Sequence, residues 1–144
     1  MQSHLFNRII RHAQRRRPAD NVDNFEYGEY WQRHRDIDNA ISSAFMFLPE
    51  MFRLPENRRN PAAVYANLKL HASVICLHLT AIEQIDAHAL PDHARELSRN
   101  RISTAAREIV RIMKLTDTRG QTPVSSVRRV YPESFCATRP PCPT

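Results

Sequence analysis

The residues of this chain best suited to chemistry are its seven histidines and fifteen carboxylates, and their spacing limits what they can do. His71 and His78 stand seven apart, on one face of a helix, where two imidazoles can share a zinc ion. The usual helical zinc spacing is four residues, and no carboxylate shares their arc, so both read as hydrogen-bonded core histidines. Glu83, Asp86, His88, Asp92 and His93 gather around one turn with donor atoms that suit a metal. Helix ends collect such residues anyway, and no metal centre is expected there. Asp36 and Asp38 diverge by about 160° around a helix and cannot chelate one ion. Cys76, Cys136 and Cys142 are too few and too scattered for a disulfide framework. G-x-S-x-G, H-E-x-x-H and phosphate-loop motifs are absent, and no cysteine has an evident base beside it. The residues therefore assign no catalytic, cofactor-binding or metal-ligating position, and the chain is not expected to be an enzyme.

The elements that carry these residues read as helices. Leu5, Phe6, Ile9, Ile10 and Ala13 recur at three and four residues, predicting a helix over 3–17 that Pro18 ends. A second, over 28–48, aligns Tyr30, His34, Ile37, Ile41, Phe45 and Leu48. Between Pro49 and Pro55, Met51, Phe52 and Leu54 can pack, but no long helix fits. The third helix, 61–88, has the clearest start, with Asn60 as N-cap and Pro61 in the first turn. Val64, Leu68, His71, Val74, Ile75, His78, Leu79, Ile82 and Ile85 form one broad arc, widened by Leu70, Leu77 and Ala81. Only Lys69, Ser73, Thr80 and Gln84 are left as a polar strip, so this is the central helix. The fourth, 92–115, buries Ile102, Ala105, Ala106, Ile109, Ile112 and Met113 and shows a basic row, Arg107, Arg111 and Lys114. A short connection makes the third and fourth helices antiparallel neighbours. Residues 117–144, rich in proline, serine and threonine without periodicity, read as an irregular or disordered tail.

Composition agrees with an all-α class. The 144 residues hold only two glycines, which excludes glycine-rich phosphate loops and disfavours hairpin-rich β folds. No unbroken apolar run reaches the ~20 residues of a membrane span, and the N-terminus lacks the apolar core of a secretory signal, so a soluble intracellular chain is expected. The net charge of +6 is uneven: residues 1–20 carry +4, from Arg8, Arg11, Arg15, Arg16 and Arg17 less Asp20, while 21–60 carry −2. Such a run serves phosphate contact or nuclear import, or simply solvates a helix.

The second to fourth helices hold a longer pattern. W-x-R-H-R-x-I-D-N (Trp31–Asn39), F-L-P (Phe47–Pro49), L-P (Leu54–Pro55), N-L-K-L-H-A-S-V-I-C-L-H (Asn67–His78) and A-A-R-E-I-V-R-I-M-K (Ala105–Lys114) follow in order. This resembles the regulatory, or middle homology, region of fungal binuclear zinc-cluster transcription factors of the xylanolytic-activator type, over about residues 1–116. The resemblance implies an all-α fragment of a larger helical regulatory domain, placed in the nucleus and controlling transcription through protein partners or self-association. Zinc would belong only to a six-cysteine DNA-reading cluster that this chain does not encode, so no cofactor is expected here. No membrane contact is expected, and DNA contact is expected to be weak and non-specific. The alternative is a small basic helical nucleic-acid-binding protein using the N-terminal arginines and the Arg107, Arg111 and Lys114 row.

Overall fold

A computed structural model describes residues 2–15 and 20–117, and the fold is all-α, with no strand among the described residues. Helix α1 spans Gln2–Gln14, α2 Glu29–Met46, α3 Pro61–Ala87 and α4 Asp92–Asp117, with a 3-10 turn at Glu50–Phe52. The expected extension of the first helix to residue 17, the tail beyond residue 117, Cys136 and Cys142 lie outside the described residues. Helix α2 stops at Met46, two residues short of the sequence expectation. Pro49 is the cause, because the residue before a proline is pushed out of helical conformation.

Helix α3 begins as its sequence dictates, with the Asn60 side chain accepting from the Ala62 N–H at 3.0 Å and Pro61 in the first turn. It closes on His88, after which Ala89 takes a positive φ of 48° and the Leu90 N–H reaches back to the Ile85 carbonyl at 3.0 Å. That is a Schellman closure, completed by burial of both Leu90 and Ile85 in one apolar cluster. The chain turns there, and α4 returns antiparallel along α3 to make the most extensive helix pair of the fold. Ala81, Ala94 and Ala105 are all buried, and such small side chains let two helices approach closely.

That close approach extends the buried face of α3 beyond the expected one. Val64, Leu70, Val74, Leu77, His78, Ala81 and Ile85 of the expected arc are buried; Ala63, Ala66 and Ser73 join them, while Leu79 is half exposed. Ser73 was placed on the polar strip, yet its hydroxyl satisfies itself on the Lys69 carbonyl at 2.8 Å and so goes inside. On α4 the inner face runs through Ala94, Ser98, Ala105 and Ile112, and Met113 is exposed. Taken alone, α3 is long and apolar enough to cross a membrane, with mean hydropathy 1.2 over its most apolar 18 residues. Here it is the central helix, and half of that stretch is buried.

The loop before α2 is clasped by side chains of that helix. Trp31 Nε1 donates to the Val22 carbonyl at 2.7 Å, and Arg35 donates to the carbonyls of Phe25 and Glu26 at 3.1 and 2.7 Å. Arg33 pairs with buried Asp20 at 2.8 Å. Gly28, at the N-cap of α2, lies so deep in this loop that a Cβ would stand 2.1 Å from the Asn21 carbonyl oxygen and 2.5 Å from that of Asn24. Both neighbours are backbone and cannot step aside. Gly28→Ala is therefore expected to lower stability by about 2–3 kcal/mol. Ala89→Gly, which relieves a left-handed alanine, should raise it by about 0.5–1 kcal/mol. Urea denaturation of the three proteins checks both signs.

Candidate functional site

Each of the four helices carries polar residues at the same level of the bundle. On α1 this is His12; on α2, His34 and Asp38; on α3, His78; on α4, Ser98 and Arg101. Ile9, Ile37, Ile41, Val74, Leu77 and Ala105 form the apolar cluster on one side of this layer. Tyr30, Trp31, Ala81, Ile85, Leu90 and Ala94 form the cluster on the other. His12, His34, His78 and Ser98 are all buried. The imidazoles stand in a row, His12 to His34 at 6.0 Å between centroids and His34 to His78 at 4.9 Å, edge to face. His12 also stacks on Tyr30 at 4.5 Å.

One stretch of this layer has the connectivity of a hydrolytic triad. Ser98 Oγ lies 3.3 Å from His78 Nδ1, and Asp38 Oδ1 lies 3.5 Å from His78 Nε2. Such a relay can pass a proton from a serine to a carboxylate-supported imidazole. Ser98 and His78 are each only 5% exposed, however, and the Asp38 carboxylate is already held by the Arg101 guanidinium. As folded, the relay ties α2, α3 and α4 together and offers its serine to no substrate. Burial alone would raise the Asp38 carboxyl, but hydrogen bonds from His78 and Arg101 outweigh it and hold the group down to about 2.

The histidines also move down, but for them a lower value disfavours the charged form. Burial, with help from Arg33, lowers His12 to about 4 against the opposing charge of Asp20. Burial also lowers His34 to about 3, reinforced by His78 and His12 and opposed by Asp38. Neither ring nitrogen of His12 has a hydrogen-bond partner among the described residues, and neither does Nδ1 of His34. Both rings are neutral at pH 7.

The residues singled out from sequence separate. His78 is the buried, hydrogen-bonded core histidine expected; His71 is half buried, tilted against Phe45 at 4.6 Å, with its pKa lowered by burial. Asp86 and Asp92 are both taken by Arg95, at 2.6 and 2.7 Å, and His88 pairs with Asp23 at 2.7 Å. His93 sets its ring against Phe25. Among the described residues no group of three or more histidine, cysteine or acidic side chains can hold a metal ion. Cys76 is half buried beside the first apolar cluster. Asp36 is exposed, and only Asp38 enters the polar layer. The joint role of Asp38, Ser98 and Arg101 escaped the sequence reading. Its available signal was a polar residue interrupting the apolar face of each helix at one height.

The surface carries an open groove of about 880 Å³ between α1, α2 and the 3-10 turn. Ala40, Ser43 and Ala44 are its small lining residues, and Leu5, Phe47 and Phe52 are among its large apolar ones. Phe47 is 76% exposed, Met46 beside it 72%, and Met51 59%. A second, shallower depression on α4 lies among Arg107, Val110, Arg111 and Lys114, where the expected basic row is exposed. No family model, curated protein or solved structure matches the chain.

The polar layer makes stability dependent on pH. In the unfolded chain both histidines titrate near 6.5, and in the fold only near 4 and 3. Below pH 6.5 the unfolded state therefore binds more protons. Stability is full above that value and falls by about 1.4 kcal/mol per pH unit for each ring until its folded pKa is passed. His12→Phe removes one ring and a buried imidazole without a partner, keeping the stack on Tyr30. Urea midpoints at pH 7, 6 and 5 should fall steeply for the parent and less steeply for the variant, in which His34 and His71 still contribute. Equal slopes would show that His12 takes up its proton in the folded state.

Proposed function

We propose that this chain is a helical regulatory domain, of the kind found in fungal binuclear zinc-cluster transcription factors, which works in the nucleus through protein contacts without catalysis. The observation that carries this reading is the uncovered apolar corner of Met46, Phe47 and Met51 beside the α1–α2 groove. Large apolar side chains gathered on a surface mark a place where another surface docks. The sequence landmarks of the resemblance support it too, since they are the residues that shape this fold. Trp31, Arg33 and Arg35 clasp the loop, and Asp38 anchors the polar layer. Asn67 Nδ2 donates to the carbonyls of Phe52 and Ala63, each at 2.8 Å, and so fixes the 3-10 turn against α3. Phe47 itself belongs to the F-L-P landmark. Zinc and DNA reading, in this proposal, belong to another part of a larger factor.

A second reading, a basic helical nucleic-acid-binding protein, is favoured by the Arg107, Arg111 and Lys114 row and by an α1 that holds no acidic residue. Two measurements separate the two. Fused to an unrelated DNA-reading domain at a reporter gene, the full chain should change output several-fold, and Phe47→Ser should abolish the change. Fluorescence anisotropy with unrelated duplexes should show weak binding that salt removes and that does not discriminate sequence, as expected of phosphate attraction alone. Tight, salt-resistant binding to one duplex would favour the second reading and overturn the first.

A further inference from the structure

We propose that the α1–α2 groove is the docking site of an acidic amphipathic helix from a protein partner; this rests on the reading of the chain as a protein-contact domain. Shape is the first argument. Ala40, Ser43 and Ala44 lie at positions i, i+3 and i+4 in the last two turns of α2, and Phe47 caps the helix just beyond them, so this side of the groove extends over about two helical turns, or ~10 Å. The small side chains of Ala40, Ser43 and Ala44 leave room for large ones, and Leu5, Phe47, Leu48 and Phe52 supply apolar surface to receive them. A helix presenting anchors at i, i+3, i+4 and i+7 fits such a trough.

Charge is the second argument, and it selects the partner. Every ionisable residue lining the groove is basic or neutral: His4 and Arg8, both from α1. Arg8, Arg11 and Arg15 continue along the exposed side of α1, and no acidic residue occurs from Gln2 to Arg15. Asp36 and Glu50, close by in the chain, lie outside the lining, one turn before Ala40 on α2 and just after Pro49; Glu50 lines instead, with Glu56 and Arg53, the adjoining depression that shares Pro49. An occupant that is apolar on one face and acidic on its flanks meets both features at once. A second copy of this chain does not, because a symmetric pairing sets one arginine row against the other, at a net charge of +6 per chain. The chain's own residues 117–144 carry +2 and have the wrong sign as well. Nucleic acid has the right sign but no use for the apolar lining.

The probe is a synthetic helical peptide of about 18 residues, with leucine and phenylalanine at the four anchor positions and glutamate on the flanks. Its analogue carries lysine for every glutamate. Anisotropy with the full chain should show binding of the acidic peptide that weakens with salt. Phe47→Ser and Arg8→Glu should each weaken it by about tenfold, while Tyr27→Ser, an equally exposed aromatic outside the groove, should leave it unchanged. Three results would overturn the proposal: equal binding of the lysine analogue, insensitivity to Arg8→Glu, or no binding of the acidic peptide. Self-association in sedimentation that Phe47→Ser abolishes would give the groove to a second copy. Displacement of the peptide by duplex DNA at a salt concentration that removes phosphate attraction would give it to nucleic acid; either outcome also overturns the proposal. The reporter fusion keeps the two readings distinguishable. A Phe47-dependent reporter effect without peptide binding leaves the protein-contact reading standing and rejects only this partner. Peptide binding without any reporter effect rejects the regulatory reading and keeps the groove.

Discussion

Two imidazoles buried between two apolar clusters, His12 and His34, set the condition on which this structure depends: they must stay neutral. A charged ring at His12 or His34 would face apolar walls, neighbouring histidines and, for His12, the Arg33 guanidinium. The cost of ionising there is what lowers both pKa values. The one full charge admitted to the layer, Arg101, comes with its counter-charge Asp38, and Asp38 comes with His78 and Ser98. Apolar contacts tolerate small slips of one helix along another, since one aliphatic neighbour replaces another at modest cost. The polar layer tolerates none. Sliding α3 by a single turn would carry His78 away from Ser98 and Asp38 into aliphatic surroundings, leaving buried groups unpaired at about 1–3 kcal/mol each. Register among α2, α3 and α4 is thus a property of the hydrogen bonds, while cohesion is a property of the clusters on either side.

A similar division of labour holds the loop before α2. Residues 20–28 have no regular ladder to absorb their backbone groups, and buried carbonyls must find donors. The first two turns of α2 supply them from Trp31, Gln32 and Arg35, while Arg33 neutralises buried Asp20. Fixed in this way, the loop contributes Val22 and Phe25 to the cluster around Trp31 and closes that end of the bundle. Gly28 is required by how closely the chain passes its own carbonyls, and not by an unusual φ.

Helix number, order and approximate ends were legible because each rests on a local signal: Asn60 and Pro61 at the start of α3, Pro49 beyond α2, and the apolar period along all four. The buried arcs of α3 and α4 were less legible. Periodicity weighs a leucine above an alanine, yet in a close helix pair the small residue goes inside, so Ala63, Ala66 and Ala94 are buried and Leu79 and Met113 are not. Ser73 defied its polarity by bonding to its own helix. The polar layer was visible only in pieces, as His34 on one stripe and His78 on another. Asp38 and Arg101 are 63 residues apart, and nothing in local sequence says that they meet. The groove was least legible of all, because a concavity depends on how α1 lies across α2 rather than on any one helix.

That placement of α1 joins the two halves of the molecule. Within two turns the helix offers Leu5 and Arg8 to the groove, Ile9 to the first apolar cluster and His12 to the polar layer. It is also the shortest of the four helices, so these few side chains hold it in place. Any ligand covering the groove gains contacts only while α1 is docked, and so stabilises the docked state by mass action. Protonation of His12 works against the same state, because the charged ring is tolerated only where water reaches it. The groove lining and the neutral state of His12 therefore both depend on where α1 lies.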